Sequence, residues 1–98
     1  MIDEPKFELG QVVATPACLE ALEEAKQSPQ EFLRPHLRLE RGELDAEDHQ
    51  ANEMSLLDGS RILSAFCLKT GVKIWVLTEA IGDGGKRAST CLMLPSDY

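Results

Sequence analysis

The sequence predicts an α+β domain, in which a short N-terminal strand and two to three helices pack on a C-terminal three-stranded antiparallel β-meander. Helix-start signals recur before residue 60, and three strand-like runs with glycine-bearing connections follow it. With 98 residues, of which 43% are hydrophobic, the chain can form one core but not two domains. We therefore expect a single domain over residues 1–98, with an acidic, mainly helical part (1–59) and a meander (60–98).

The first elements are an extended segment and a helix. Phe7–Ala14 is typical of a short strand or an extended arm, with Val12 and Val13 as β-branched residues and Gly10 weakening its centre. Thr15-Pro16 then supplies an N-cap hydroxyl and a proline at the first helical position. The helix is predicted to run to about Lys26, with an apolar face opposite its glutamates formed by Leu19, Leu22 and Ala25.

A second helix is predicted from Ser28-Pro29-Gln30-Glu31, where Glu31 is placed to complete a capping box. Pro35 is expected to keep this helix short, because proline lacks the N–H that the next turn requires. His36–Leu44 stays open between a strand, since Leu37 and Leu39 alternate with polar residues, and a connector, since Gly42 and charges interrupt it.

The third helix is predicted over about Ala46 to Asp58, with Asp45 as N-cap and Gly59 as the C-terminal residue that ends it. Acidic residues in its first turn suit the helix dipole. We expect a core-facing stripe on this helix, made of Ala46, Gln50, Met54 and Leu57.

Three strands are predicted over Arg61–Leu68, Lys73–Glu79 and Ala88–Leu94, and the turn Lys69-Thr70-Gly71 makes the first two a hairpin. The second and third strands are apolar on both sides of the pleat, so both sheet faces are expected to be at least partly covered. Helices can cover one face. The N-terminal arm or a second copy of the chain is expected to cover the rest, and this motivates a homodimer hypothesis.

Charge divides the chain into two unlike parts. Residues 1–59 carry 14 acidic and 5 basic side chains, net −9, whereas residues 60–98 carry 3 acidic and 5 basic, net +2. The total of −7 argues against direct DNA binding, because the phosphate backbone would repel the protein. No apolar run approaches the length of a membrane span. Glu40–Asp58 is the densest acidic segment, with seven acidic residues against Arg41.

The cysteines and the N-terminus suggest a reducing cytoplasm. Cys18, Cys67 and Cys91 are an odd set without Cys-x-x-Cys spacing, and each is expected to be a small buried hydrophobe rather than a disulfide partner or zinc ligand. Met1–Pro5 is acidic and has no apolar region, so it is not expected to be a signal peptide.

Several patterns that can carry chemistry fail closer tests. Gly82–Lys86 is not a phosphate loop, because neither Ser/Thr nor a helix follows Lys86. His49 shares a helix face with Asp45 and Glu53, which could hold a metal weakly, but a solvated His–Glu pair is the favoured interpretation. His36 has no identifiable partner, and nothing marks either histidine as a base for Ser64, Ser89 or Thr90. No cofactor and no metal are expected.

Basic residues collect on the meander: Arg61, Lys69, Lys73, Lys86 and Arg87. They could bind a phosphate group, but the favoured interpretation is that their positive charge offsets the negative charge of the helices. Trp75 is likewise expected to be a core residue, and a surface on which a ligand stacks is the less favoured interpretation.

The order of short phrases along the chain resembles a group of short bacterial proteins described as hypothetical or plasmid-related. The phrases run from about residue 9 to the end: Gly10–Pro16, Leu19–Glu23, Gln27–Pro29, Glu31–Leu33, Gly42–Leu44, Glu47–Asp48, Asn52–Glu53, Arg61–Ala65, Ile74–Val76, Thr78–Ala80, Leu94–Pro95 and Tyr98. The resemblance implies a standalone cytoplasmic bacterial protein, often carried on mobile elements, and it implies no activity.

Two departures from that group matter. The group typically has tryptophan where this chain has Arg41, and its compact glutamate-alanine-aspartate-arginine stretch is interrupted here by Ile81–Lys86, between Glu79-Ala80 and Arg87. A site built on that tryptophan or that turn would be altered in this member.

Two function hypotheses follow. The favoured one is a non-catalytic interaction module that binds a basic protein, for example a DNA-binding protein that it mimics or restrains. Its expected binding residues are Glu43, Glu47, Asp48, Glu53 and Asp58.

The alternative hypothesis is a distant relative of RelE-type ribosome-dependent RNA endonuclease toxins, based on a similar element order. Arg61, Arg87 and Tyr98 would then be the catalytic candidates, for phosphate stabilisation and proton transfer. The net charge of −7 speaks against this alternative.

Overall fold

A computed structural model of the chain describes residues 6–98. The elements, in chain order, are β1 (Gln11–Ala14), α1 (Pro16–Ala25), α2 (Gln30–Leu37), α3 (Ala46–Asp58), β2 (Ile62–Cys67), β3 (Lys73–Thr78), β4 (Ser89–Met93) and a 3₁₀ turn (Pro95–Asp97). The α+β prediction is confirmed. Within residues 6–98 no helix is long and apolar enough to cross a membrane. The signal-peptide prediction concerns Met1–Pro5, which lies outside the described residues.

The sheet has four strands in the order β1-β4-β3-β2, with β1 parallel to β4 and the other pairs antiparallel. The predicted meander and its first hairpin are confirmed. The N-terminal segment was expected to cover part of a sheet face as an arm. This is wrong, because the segment instead joins the sheet as a fourth strand, β1, at its edge. Gly10 precedes β1 rather than weakening its centre: its φ is +66°, and a Cβ there would lie 2.4 Å from the Arg87 carbonyl oxygen.

Helix α1 begins as the sequence predicts, with the Thr15 hydroxyl accepting from the Cys18 N–H at 3.2 Å. Helix α2 does not stop at Pro35 but continues to Leu37. Only two residues follow Pro35 in the helix, so the missing N–H removes one hydrogen bond in the last turn. The sequence left His36–Leu44 open between a strand and a connector: His36 and Leu37 complete α2, and residues 38–44 form a connector that buries Leu39 and Leu44.

Helices α1 and α2 cover one face of the sheet. Alternation along the strands places Phe66, Ile74, Val76 and Leu92 on that face. They form the core together with Cys18, Leu22, Ala25, Phe32, Leu33 and Leu68. Each large core side chain contributes about 1.5–3 kcal/mol through burial, which makes this layer the main apolar support of the fold.

Helix α3 is oriented opposite to the prediction. Met54 and Leu57 are 54% and 83% exposed, whereas the polar Asn52 and Ser55 are each only 6% exposed. Ala46 and Gln50, which the sequence assigned to the same core-facing stripe, are also exposed. The helix faces the sheet with hydrogen-bonding groups, and Met54 and Leu57 point to solvent.

Polar contacts from α3 and its preceding loop close the outer edge of β2. The Asn52 amide accepts from the Leu63 N–H at 3.1 Å and donates to the Leu63 carbonyl at 2.6 Å, as a neighbouring strand would. The Glu43 N–H donates to the Ala65 carbonyl at 2.8 Å. Covering an edge in this way blocks pairing with other chains.

The second face of the sheet has lighter cover. Ala65, Leu77 and Met93 are buried there, but Leu63, Trp75 and Cys91 are only half-buried. The Tyr98 ring meets the Trp75 ring edge-on at 5.8 Å. All three cysteines are free, but only Cys18 is buried. The expectation of three buried cysteines is therefore wrong for Cys67, which is exposed because it ends β2 on the lightly covered face.

Replacing Asn52 with alanine should destabilise the protein by about 1–3 kcal/mol, because it leaves the edge N–H and C=O of Leu63 without their partner. Urea unfolding measures this loss. Gln50→Ala, an exposed change on the same helix, is the matched control and should be near neutral. Equal stabilities of the two variants would contradict the role given to Asn52.

Candidate functional site

A buried polar network lies between α2 and the sheet. His36, Ser64, Thr78 and Thr90 are each 0% exposed. The His36 Nδ1 lies 2.6 Å from the Ser64 hydroxyl, and its Nε2 lies 2.7 Å from the Thr78 hydroxyl. The Thr78 and Thr90 hydroxyls are 2.7 Å apart. The network therefore links α2 to three adjacent strands.

The direction of every hydrogen bond in this network follows from counting protons. Thr90 donates its single hydroxyl proton to the Leu9 carbonyl at 2.8 Å, so Thr78 must donate to Thr90. His36 Nε2–H then donates to Thr78, and Nδ1 accepts from Ser64. A neutral His36 ring is thus the Nε2–H tautomer.

The pKa of His36 agrees with this assignment, because burial lowers it from 6.5 to about 4. Phe7, Ser64 and Thr78, which contact the ring, carry no charge that would favour the protonated form. A serine hydrogen-bonded to a histidine suggests a nucleophile and its base. Here neither side chain is accessible to a substrate, so the network is structural.

Arg87 is a second buried polar centre. Its guanidinium donates to the carbonyls of Ser60 at 2.6 Å, Glu79 at 3.0 Å and Ser55 at 3.1 Å. Ser55 lies in the last turn of α3, where the helix dipole favours cations, and its carbonyl also accepts from the Gly59 N–H at 2.9 Å. Burial lowers the pKa of Arg87, and the charge of Asp58 opposes the shift. Arg87 thus ties α3 to the sheet.

The three catalytic candidates of the alternative hypothesis are not all brought together. Arg61 donates to the Tyr98 hydroxyl, and its guanidinium lies 5.4 Å from the Tyr98 ring centre. These two residues are exposed, and the Tyr98 ring lies against Trp75. Arg87 is buried and is committed to backbone carbonyls, while Glu79 contributes its carbonyl to Arg87.

All five predicted acidic binding residues lie at the surface: Glu43, Glu47, Asp48, Glu53 and Asp58. They do not share one helix face. Glu47 and Asp58 are three turns apart on one exposed stripe of α3, close to Met54, while Glu53 lies across the helix. Hydrogen bonding to Ser60 lowers the pKa of Asp58, so its charge persists at neutral pH.

An open groove of about 560 Å³ runs along α3. Leu39, Met54, Leu56 and Leu57 provide its apolar lining, while Lys6, Arg38, His49 and Glu53 provide polar groups. Sequence reasoning missed this groove because it assigned Met54 and Leu57 to the core. No local signal in the sequence would have reversed the helix, because polar Asn52 and Ser55 face the sheet only through the free edge of β2.

His49 makes the predicted i,i+4 pair, with its Nε2 lying 3.2 Å from Glu53. Asp45 does not join them, because its carboxylate caps α3 by accepting from the Asp48 N–H at 2.8 Å. Among residues 6–98 there is no group of three or more histidine, cysteine, aspartate or glutamate residues arranged to hold a metal ion.

No protein-family model, no curated protein and no solved structure matches this chain.

Acidification should weaken the fold through His36. The unfolded chain binds a proton near pH 6.5 and the folded chain only near pH 4, so the network's contribution is complete above pH 6.5 and is lost as the pH falls toward 4. The expected loss is about 3 kcal/mol. Urea unfolding across this range measures it.

Two variants isolate the effect. His36→Gln should flatten the pH dependence between pH 6.5 and 4, whereas His49→Gln, the matched control, should keep it. The lowered pKa values of the Asp58 and Asp97 carboxyls remove stability mainly below pH 3.8, with only a small part of the loss at the acid end of this window, and both variants retain that part. A wild-type stability that is flat over the window would contradict the burial of neutral His36.

Proposed function

We propose that this protein is a non-catalytic interaction module, and that the outer surface of α3 binds a basic partner segment carrying apolar side chains. One observation carries the proposal: α3 uses polar Asn52 and Ser55 to face the sheet and leaves Met54 and Leu57 exposed at 54% and 83%. An exposed apolar stripe beside charged residues is typical of a protein–protein interaction site.

Charge selects the class of partner. The segment Glu40–Asp58 holds seven acidic residues against Arg41, and the Arg41 guanidinium is engaged with the Leu44 carbonyl at 2.7 Å. Glu47 and Asp58 flank Met54 on the exposed face. Carboxylates around an apolar stripe favour a lysine- or arginine-bearing segment, and such complementarity speeds association and sets specificity.

The groove gives the partner's apolar residues a place to bind. Its volume of about 560 Å³ can accept large side chains, which carry most of the energy in protein interfaces. Lys6 and Arg38 lie on the opposite rim, and Arg38 pairs with Glu40. Basic groups of the partner are therefore best placed on the α3 side of the groove.

The resemblance to plasmid-related bacterial proteins suggests where in the cell this binding would take place. A cytoplasmic protein carried on a mobile element would meet basic DNA-binding proteins, and an acidic surface suits mimicry or restraint of such a protein. The partner is thus proposed to be a basic, nucleic-acid-binding protein rather than the nucleic acid itself.

A synthetic amphipathic helical peptide of about four turns, with lysines on one face and leucines on the other, is a direct probe. Fluorescence anisotropy should show binding that weakens between about 0.05 M and about 0.5 M salt, because exposed charges are screened. The double change Met54→Ser with Leu57→Ser should weaken binding by about tenfold or more.

Matched controls separate the two contributions. Val72→Ser, at an exposed apolar residue in the β2–β3 turn, should leave binding unchanged. Glu43→Gln with Glu47→Gln should reduce the salt dependence, whereas Glu20→Gln with Glu24→Gln on α1 should not. Peptide binding that ignores salt, or that survives loss of Met54 and Leu57, would contradict the proposal.

The second candidate function is the RelE-type RNA endonuclease, and the contact between Arg61 and Tyr98 is the observation in its favour. If it is correct, expression in bacteria should arrest growth and fragment mRNA, and Arg61→Ala should abolish both effects. Lys69→Ala, which removes an exposed cation elsewhere on the meander, is the control. Unchanged growth and intact mRNA on expression would exclude this function.

A further inference from the structure

The two edges of the sheet are treated differently. At the β2 edge, Asn52 and Glu43 occupy the outward groups of Leu63 and Ala65. The opposite edge is β1, Gln11–Ala14, which hydrogen-bonds to β4 on its inner side only. One edge is therefore closed by the chain itself, whereas the other is open within the described residues.

The open groups on β1 can be identified. The N–H groups of Gln11 and Thr15 donate inward, to the carbonyls of Ala88 and Leu92, both at 3.0 Å. Since alternate residues of a strand point their N–H and C=O to opposite sides, those of Val12 and Ala14 point outward. No hydrogen bond from residues 6–98 reaches these outward groups.

The composition of this edge favours pairing. Leu9–Leu19 is the longest run of the sequence without a charged residue. Val12 and Val13 are each 43% exposed, and Leu19 is 49% exposed. Proteins protect an edge strand by keeping it very short, or with lysine, proline, a bulge or a covering loop; β1 is four residues long but, within residues 6–98, has none of the other protections.

We propose that β1 pairs antiparallel with β1 of a second copy, with the two-fold axis at Val13. Val12 then lies opposite Ala14 of the second copy as a hydrogen-bonded pair, so all the outward N–H and C=O groups are satisfied. Val13 meets its own symmetry mate as a non-hydrogen-bonded pair, where side chains are closest. The two four-stranded sheets become one.

The β1 edge is better suited to binding a second copy of the chain than the acidic surfaces of the protein are. Two molecules of net charge −7 repel each other, above all at α3, and a two-fold contact places the same patch of both molecules together, so it is favoured where that patch has no acidic groups. The uncharged run around β1 meets that condition. A two-fold pairing also uses the same patch on both molecules and closes on itself, which limits the assembly to a dimer.

The proposed dimer leaves the α3 interaction surface of each copy free. Helix α3 packs at the β2 edge, and β1 is the opposite edge of the sheet. The dimer would carry its two α3 surfaces at the far ends of the joined sheet, so a partner with two basic segments would be bound bivalently. The dimer inference does not depend on the proposed function.

Sedimentation velocity from about 1 to about 200 µM should show a reversible monomer–dimer equilibrium, because dimer population depends on protein concentration. Val13→Lys places like charges across the two-fold axis and should weaken the dimer by about tenfold or more. Val12→Pro removes only an outward N–H and should do the same. Leu57→Lys, an equally charged change on α3, should leave the dimer intact.

Disulfide trapping tests the register. In a Cys67→Ser, Cys91→Ser background, Val13→Cys should form an intermolecular disulfide on mild oxidation, because non-hydrogen-bonded neighbours bring Cα atoms to about 4.5 Å. Cys91 has to be replaced because it neighbours Val13 on β4. Val12→Cys in the same background is the control and should cross-link poorly, since its symmetry mate is displaced along the strand.

Three results would overturn the proposal. They are a wild-type protein that stays monomeric over the whole concentration range, a dimer that is unaffected by Val13→Lys and Val12→Pro, and assemblies larger than a dimer. Circular dichroism of each variant shows whether a lost dimer reflects the interface or a lost fold. Failure here would leave the peptide binding at α3 unaffected, because the two tests use different surfaces.

Discussion

A neutral histidine under the helices sets the register of the whole sheet. His36 can satisfy both ring nitrogens only when Ser64 and Thr78 lie on the inner face at the same level, and Thr78 is satisfied only when Thr90 lies beside it. A slip of one residue in any strand would move a hydroxyl to the other face. It would then leave a buried polar atom unpaired, at a cost of about 1–3 kcal/mol. The network thus excludes wrong pairings, while the apolar side chains around it supply the stability.

Polar contacts also hold α3 against the sheet, and they explain why apolar side chains lie on its outer surface. Asn52 and the guanidinium of Arg87 attach this helix to the sheet by hydrogen bonds, so the helix needs no apolar face against the core. Its apolar residues are then free to serve a partner. An acidic helix held by its polar side and displaying Met54 and Leu57 is consistent with an interaction role, and the burial of Arg87 shows that a basic residue at a strand start need not be an anion site.

Local signals were sufficient for most of the fold. Thr15-Pro16, Asp45 and Gly59 mark helix ends through their own backbone chemistry, and the turn at Lys69-Thr70-Gly71 fixes a hairpin between neighbouring strands. Long-range choices were not readable in the same way. The side of α3 that faces the sheet depends on the free edge of β2, which only the assembled sheet presents. The partners of His36 come from two strands, and Thr90 on a third strand completes the network through Thr78. Only the hydroxyl residues at alternating positions in otherwise apolar runs hinted at them.

The parallel pairing of β1 with β4 has a consequence for the order of folding. Its contacts join the two ends of the described chain, as do the bonds from Thr90 to Leu9 and from Thr15 to Asp97. Closing so long a loop costs chain entropy before any contact repays it, whereas the β2–β3–β4 meander needs only short loops. During synthesis the first strand emerges well before its only neighbour in the sheet exists. A newly made chain therefore carries an uncharged, unpaired strand until β4 leaves the ribosome, and it is most exposed to aggregation in that interval.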